Sequence, residues 1–395
     1  AFLDGQGRPD RSKLLRRVEE ERPKVLILDP ACGTGTFLYA VMNYIRAEFM
    51  KRGDAGLWSA YVRDHLLPRL FGFELLMAPY AVAHFKLVML LAGYDLPKEQ
   101  QKQWQYDFEA EERLGIFLTN TLDEAPSEWQ KLFGAYRILS EEANAASRVK
   151  RDLPIMVVLG NPPYSNYGMM NKNESIRNLL KDYKEGLSEK KLNLDDDFIK
   201  FIRWSQYRIE HTGYGVLAFI TNNTYIDGIS HRMMRSKLID AFDEIYILDL
   251  HGNSKRKEKS PDGSEDENVF DIQVGVAIGL FIKGKSKGRS KVNFAELWGK
   301  RESKYAYLSD KDVASTNWTP LLPESPHFFL TKKDFSTSDE YLTAWQISDI
   351  FPVSQNGLKT DRDGLFYGPD RDVLLDRIRM LYSENEIDSA FREEF

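Results

Sequence analysis

Cysteine is all but absent. Cys32 stands alone in 395 residues, which excludes an internal disulfide framework and suits a reducing, cytoplasmic setting. Long apolar runs are missing as well. The longest, Ala78 to Leu91, is broken by His84 and Lys86, so it reads as a buried helix rather than a membrane span, and no membrane partner is expected. The polar, glycine-containing start from Ala1 to Pro9 holds no secretory apolar region. The six histidines lack paired metal-ligand spacing, so no metal site is expected. No Gly-x-x-x-x-Gly-Lys-Ser/Thr loop occurs, which argues against ATP hydrolysis. A basic surplus is lacking too: 54 Lys and Arg face 60 Asp and Glu, for a net charge of -6. Phosphate neutralisation drives nucleic-acid affinity, so the acidic total weighs against unaided clamping of DNA. A local basic cleft can still coexist with acidic outer faces.

What is present is an alternation of short apolar runs and helical patterns. Lys24 to Leu28, Arg69 to Leu75, Ile116 to Leu118, Ile155 to Leu159, Gly215 to Thr221 and Glu244 to Asp249 read as strands. Helical spacing falls at Thr36 to Lys51, Ala55 to Leu67, Ala78 to Leu91, Phe133 to Val149, Ser175 to Glu185, Asp195 to His211 and Ser230 to Phe242. Asp195 to Asp197 read as acids that complement a helix dipole. Ile272 to Ile282 is a long apolar strand expected to return antiparallel. This order predicts an open α/β sheet with helices on both faces. The charged segment Asn253 to Asn268 reads as a mobile loop. Its Lys255-Arg256-Lys257 cluster is either a DNA-backbone contact or simply solvated. From Lys283 the pattern turns irregular, so one domain is expected over 1–285, followed over 286–395 by a linker and a smaller mixed region.

Two segments carry chemistry. Asp29-Pro30-Ala31-Cys32-Gly33-Thr34-Gly35-Thr36-Phe37 follows the first strand directly. Gly33 and Gly35 permit a tight strand-to-helix turn and close approach of a ligand to the backbone. Asp29, at the strand end, can accept hydrogen bonds from a cationic amino group. Cys32 reads as a small packed residue rather than a nucleophile. Glu74 ends the second strand and suits paired ribose hydroxyls or a helix start. Asn120, after the third, offers both donor and acceptor to an adenine edge.

The second segment is Asn161-Pro162-Pro163-Tyr164, after the strand Ile155 to Leu159. Two prolines stiffen the loop and remove two backbone donors, leaving carbonyl oxygens dominant. The Asn161 amide and a proline carbonyl present two acceptors to an NH₂ group. Accepting both protons leaves the nitrogen lone pair free to attack a sulfonium methyl group. Tyr164 supplies a flat face for a base swung out of a duplex. Glu302-Ser303-Lys304 has a form seen at nuclease sites, but so short a match is expected by chance.

Together these motifs resemble the amino-group DNA methyltransferases, especially N6-adenine enzymes in which the glycine motif precedes the catalytic one. The resemblance spans about Leu26 to Ile282. It implies a Rossmann-like S-adenosylmethionine-dependent methyltransferase sheet, with Asp29, Pro30, Ala31, Gly33, Gly35, Phe37, Glu74 and Asn120 around S-adenosylmethionine. It implies that Asn161, Pro162 and Tyr164 hold a flipped adenine of double-stranded DNA. A second aromatic against the base falls best on Phe219, which reads equally as a core residue. Lys191 to Phe201, Phe219 to Gly228, Glu244 to Ser260 and Asn268 to Val276 are similar to the methyltransferase portion of single-polypeptide, type ISP restriction-modification enzymes. Gly357 to Asp363 looks like the junction to their target-recognition domain. That likeness implies fusion to nuclease, helicase-like and target-recognition domains. The Thr-Pro-containing segment such enzymes place before the glycine loop is missing ahead of Pro23, so an N-terminally truncated piece is expected. An Asn-Pro-Pro-Tyr loop also serves methyltransferases of protein glutamine and RNA bases, so the loop alone identifies only a planar amine. A DNA-binding fragment without catalysis is the reading from a different class.

Overall fold

In the computed structural model, residues 25–109, 112–123, 135–164, 171–187, 189, 193–284, 290–353 and 363–381 are described. The chain begins with β1 (Ile27–Asp29), α1 (Thr36–Arg52) and α2 (Ala55–Tyr61). It continues with β2 (Leu70–Glu74), α3 (Met77–Leu91), α4 (Lys98–Trp104), β3 (Gly115–Leu118) and α5 (Ala135–Arg151). Next come β4 (Val157–Gly160), α6 (Glu174–Lys184), α7 (Asp197–Thr212), β5 (Gly215–Asn222) and α8 (Arg232–Ala241). The rest of the sheet is β6 (Glu244–Asp249), β7 (Val276–Lys283), β8 (Lys291–Glu296) and β9 (Thr319–Leu321), with α9 (Arg301–Asp310) before the last.

These nine strands form one sheet in the order β3-β2-β1-β4-β5-β7-β6-β8-β9. The first five neighbours pair in parallel. β7 lies antiparallel between β5 and β6, the return that its long apolar run predicts. Successive strand residues point to opposite faces. Leu28, Phe71, Phe73, Phe117, Val158 and Leu217 join one core with Leu180, Phe198, Ile202 and Leu238 of α6 to α8. Leu70 and Ile116 join the other with Leu38, Met42, Ala83 and Leu87 of α1 and α3. Both faces are covered, which is why the parallel strands read as continuous apolar runs. The fold is a Rossmann-like α/β sheet with helices on both faces.

Four features differ from expectation. The sheet does not stop near 285: β8 pairs in parallel with β6, and β9 pairs antiparallel with β8. The compact unit therefore runs to Lys333, and a second unit begins at Asp334. Arg235 explains the extension. It is wholly buried and donates to the carbonyls of Tyr225, Gly228, His327 and Phe328, stapling the segment after β9 to α8. The second unit contains short helices at Ser338–Thr343, Ile347–Ile350, Asp363–Phe366 and Arg371–Leu381.

The segment Asn253 to Asn268 is fastened rather than loose. Asn253 Oδ1 accepts the Arg256 N–H, and Asn268 Nδ2 donates to the carbonyls of Gly252 and Val274. Asp266 forms a wholly buried ion pair of 2.8 Å with Lys304. Lys304 is thus a core cation that holds this loop. The helix expected through Leu67 leaves α geometry after Tyr61, turning through Val62–Leu66 into Leu67–Arg69, where Pro68 has no N–H to continue the ladder. Finally, α3 is only half buried: Met77, Val82, Phe85 and Val88 are exposed. Among the described residues no helix is long and apolar enough to cross a membrane. Residues before 25, and most of Gly357 to Asp363, lie outside the described residues.

Candidate active site at the carboxyl ends of β1 to β4

From β1 the chain moves outward to β2 and β3, and from β4 it moves the other way to β5. The loops leaving β1 and β4 therefore diverge, opening a crevice between two strands that pair directly. Ligands of open α/β sheets bind at such a switch point. Both chemistry-bearing segments are these two loops.

Asp29 ends β1 and is wholly buried. Its Oδ1 accepts the Ala31 N–H at 3.1 Å, while Oδ2 has no hydrogen-bond partner. Burial, opposed by the Ala31 N–H and reinforced by the nearby Glu74 charge, pushes its carboxyl from an ordinary 3.8 up to about 7. Gly33 and Gly35 follow with φ of +55° and +74°, a region that favours glycine. A Cβ on Gly33 would meet nothing within 4 Å, whereas one on Gly35 would crowd Ala83 at 3.2 Å. The first glycine keeps the loop open and the second lets α1 approach α3. Cys32 is buried beneath the loop, and desolvation drives its thiol far above the ordinary range, consistent with packing rather than attack.

Glu74 does more than the sequence suggests. Its Oε2 accepts the Gly33 N–H at 2.9 Å, and its Oε1 accepts the N–H groups of Leu75 and Leu76 at 2.8 Å each. The side chain thus ties the glycine loop to the start of α3. One acceptor position on Oε2 is left by this count.

Gly160, the last residue of β4, abuts Asp29: a Cβ there would stand 2.6 Å from Asp29 Oδ1. This contact brings the Asn161 loop against the first motif. Asn161 is exposed, Pro162 buried and Tyr164 half-buried. The Tyr164 hydroxyl lies 2.7 Å from Asn161 Oδ1 and 3.2 Å from the Ile220 carbonyl. Its ring meets Phe198 edge-on at 6.4 Å. Tyr164 therefore orients the Asn161 amide. Phe219 is a core side chain here, only 2% exposed, because its side of β5 faces the core shared with α7 and α8.

A cavity of about 320 Å³ joins these parts. Of the expected residues, Pro30, Ala31, Glu74, Asn120 and Asn161 line it, and Asp29 and Gly33 adjoin them by the bonds above. Phe37 lies on the first turn of α1 and Phe219 in the core, and neither lines it. Two larger recesses, of about 430 and 520 Å³, touch neither motif. Among the wall residues that sequence reasoning missed are Phe73, Asn171, Asp197 and Phe201. Asp197 was legible only as a helix-start acid, yet it is 2% exposed and paired with Lys200 at 2.9 Å. Apolar Ala31, Phe73 and Leu75 with polar groups at the rim suit a nucleoside carrying a polar tail. The unpartnered Asp29 Oδ2 and the open Gly33 suit a cationic ligand close to the backbone. S-adenosylmethionine, which has both features, fits this donor set.

Fold and crevice thus define a methyltransferase of the Rossmann-like class. Residues 6–248 match the family described as MmeI, DNA-methyltransferase domain, and the chain belongs to that family. Among solved structures, a DrdV–DNA complex is 26% identical with a TM-score of 0.65, covering 90% of this chain and 34% of that one. The type ISP restriction-modification enzyme LlaBIII bound to DNA is 26% identical with a TM-score of 0.64, covering 80% and 21%. A nuclease-deletion mutant of the type ISP enzyme LlaGI, with a DNA substrate mimic, is 23% identical with a TM-score of 0.69, covering 90% and 28%. The chain spans about a third or less of the length of these structures. No curated protein matches it significantly.

Proposed function

We propose that this chain is the module of a restriction-modification enzyme that methylates the exocyclic amine of adenine in double-stranded DNA, with S-adenosylmethionine as donor. The observation that carries this is one cavity shared by the Asp29 and Asn161 loops at the switch point. Family membership supports DNA as substrate. The type ISP relative LlaBIII supports a restriction-modification setting, and the small share of its chain that is covered supports further domains on a longer chain.

S-adenosylmethionine, when bound, supplies an electrophilic methyl group on a sulfonium. Asp29 would hold the ligand's ammonium by accepting its hydrogen bonds, and that positive charge would favour the ionised carboxylate. Glu74 has an acceptor left that would take a ribose hydroxyl, and Asn120 would address the ligand's base. Tyr164 holds Asn161 with its oxygen fixed, leaving a second lone pair on Oδ1 for the target amine. The Pro162 carbonyl is the second acceptor. With both N–H groups engaged, the nitrogen lone pair is directed at the carbon it attacks. As the C–N bond formed the S–CH₃ bond would break, its electron pair returning to sulfur, and one amine proton would then pass to solvent, so alignment and fixed dipoles would carry the catalysis.

The test is transfer of a tritiated methyl group to duplex DNA, RNA and protein, followed by nucleoside analysis of the DNA. N6-methyldeoxyadenosine is expected. N4-methyldeoxycytidine would overturn adenine while keeping the amine chemistry. Label appearing only in RNA or protein would overturn DNA as substrate.

A further inference from the structure

One wall of the cavity is a directed chain of hydrogen bonds built from three distant parts of the sequence. Lys200 Nζ donates to Asp197 Oδ1 at 2.9 Å, both side chains being buried. Asn171 Nδ2 donates to Asp197 Oδ2 at 3.2 Å. Asn120 Nδ2 donates to Asn171 Oδ1 at 2.8 Å, and the Leu122 N–H donates to Asn120 Oδ1 at 3.1 Å. Asn120, Asn171 and Asp197 all line the cavity.

Direction in this chain follows from chemistry. An ionised carboxylate only accepts, so Asn171 must turn its NH₂ toward Asp197. Its oxygen is thereby presented to Asn120, whose NH₂ must turn to meet it. The buried Lys200 ammonium is the counter-charge of Asp197 in this pair, and either ion alone in the interior would be strongly disfavoured. Lys150 clamps the backbone at the far end, donating to the Asn120 carbonyl at 2.6 Å. A free amide can present oxygen or nitrogen with little difference in shape. Here the orientation is set by a charge two side chains away.

We propose that Asp197, acting through Asn171, is a positioning residue that fixes the Asn120 amide so that the cavity selects a base bearing an amino group over one bearing a carbonyl. This rests on the reading of the cavity as the S-adenosylmethionine site. Each amide keeps one unused N–H and one unused oxygen lone pair. With orientation fixed, the free N–H and the free oxygen are offered in one order only, so an edge carrying an amino donor beside a ring-nitrogen acceptor is distinguished from one in which a carbonyl and a ring N–H exchange those roles. Asn171 also lies downstream of the Asn161 loop, so the same relay ties the cofactor wall to the segment that leaves the catalytic loop.

The experiment is calorimetric titration of the protein with S-adenosylhomocysteine and with S-inosylhomocysteine, which replaces the amino group by a carbonyl. The wild type is expected to prefer the adenosyl ligand by about tenfold or more, the scale of one hydrogen bond gained or opposed. Asn171→Leu, which leaves the Asp197–Lys200 pair intact, is expected to narrow that preference to about twofold. The double variant D197N/K200M leaves no buried charge alone and should narrow it likewise. Thermal unfolding identifies any variant that has not folded, and the other then decides. A preference unchanged in a folded variant overturns the relay, as does a wild type that binds both ligands equally. If the wild type binds neither, the cofactor reading of the cavity fails and the relay fails with it.

Discussion

On the parallel side of the sheet, Asp29 is wholly buried, one of its oxygens lacks a partner, and the charge acting on it is that of another acid, Glu74. On the mixed side, the Asp266 side chain is equally buried and also has one oxygen without a hydrogen-bond partner, but it lies 2.8 Å from the ammonium of Lys304. Among the described residues no ion pair holds Asp29. Desolvation penalises both carboxylates, and only one is compensated by the protein. An uncompensated acid beside a cavity leaves a counter-charge to be supplied, the part that the proposed function gives to a cationic ligand at Asp29. A compensated one marks where a loop is fastened. Buried charge alone therefore does not identify function, but the whereabouts of its counter-charge does.

The comparison is tested most severely at the catalytic loop. Asn161→Ala should lower the initial rate of methyl transfer to DNA by about a thousandfold, the upper range for losing a positioned polar partner. Its affinity for S-adenosylmethionine by calorimetry should be nearly unchanged, because Asn161 addresses the target amine. Undiminished transfer would remove the loop from catalysis. Next in size is the compensated pair. Lys304→Met should reduce stability by about 3–5 kcal/mol in denaturant unfolding, since it strands a buried carboxylate. D266N/K304M should recover most of that loss. A double variant as unstable as the single one would show that the loop, rather than charge, sets the effect.

Asp29→Asn should separate stability from binding. The folded carboxyl titrates at about 7 instead of 3.8, so between these values the folded chain holds a proton that the unfolded chain has released. Stability from this group is fully present below the lower value and is lost as pH rises through about 7. Asp29→Asn should therefore melt above the wild type at pH 8, with the gap narrowing as pH falls below about 7 and closing only below 3.8, while binding S-adenosylmethionine more weakly at pH 8. Equal melting at pH 8 would mean that the acid is not penalised in the empty site. The smallest effect is expected at exposed Lys255, Arg256 and Lys257. Their replacement by Ala should flatten the salt dependence of DNA binding, by up to about 0.9 in log-log slope for each phosphate no longer neutralised. An unchanged slope assigns them to solvent.

Much of the parallel half was legible because it is buried on both faces. Runs such as Leu26 to Leu28 and Ile155 to Leu159 have no polar alternation to confuse their reading, and β6 falls where it was expected, at Glu244–Asp249. The far edge was not legible. β8, Lys291–Glu296, alternates charge with apolar residues, and β9 is three residues long with Pro320 at its centre. β9, the edge strand, carries little signal apart from the partner that pairs with it, and β8 is placed in the sheet only by its pairing with β6. At the site, the strand-loop-helix order announced Asp29 and Gly33, and the stiff Asn161 loop announced itself. Asn171 had no pattern around it, and Asp197 looked like an ordinary helix-start acid.

The order of strands and loops, and the residue types at two strand ends, follow from local chemistry: glycines where φ is positive, prolines where donors must be absent, an acid where a strand stops. Whether Asn161 faces Asp29, which hydrogen bonds Glu74 makes and whether Phe219 is open to a base depend on contacts across many residues. Those were decided by the parallel pairing of β1 with β4, which sets the two loops side by side, and by the packing of α7 and α8 on β5. Periodicity encodes which face of an element is apolar. The neighbour that covers that face, and the counter-charge of each buried ion, exist only once the chain has closed on itself.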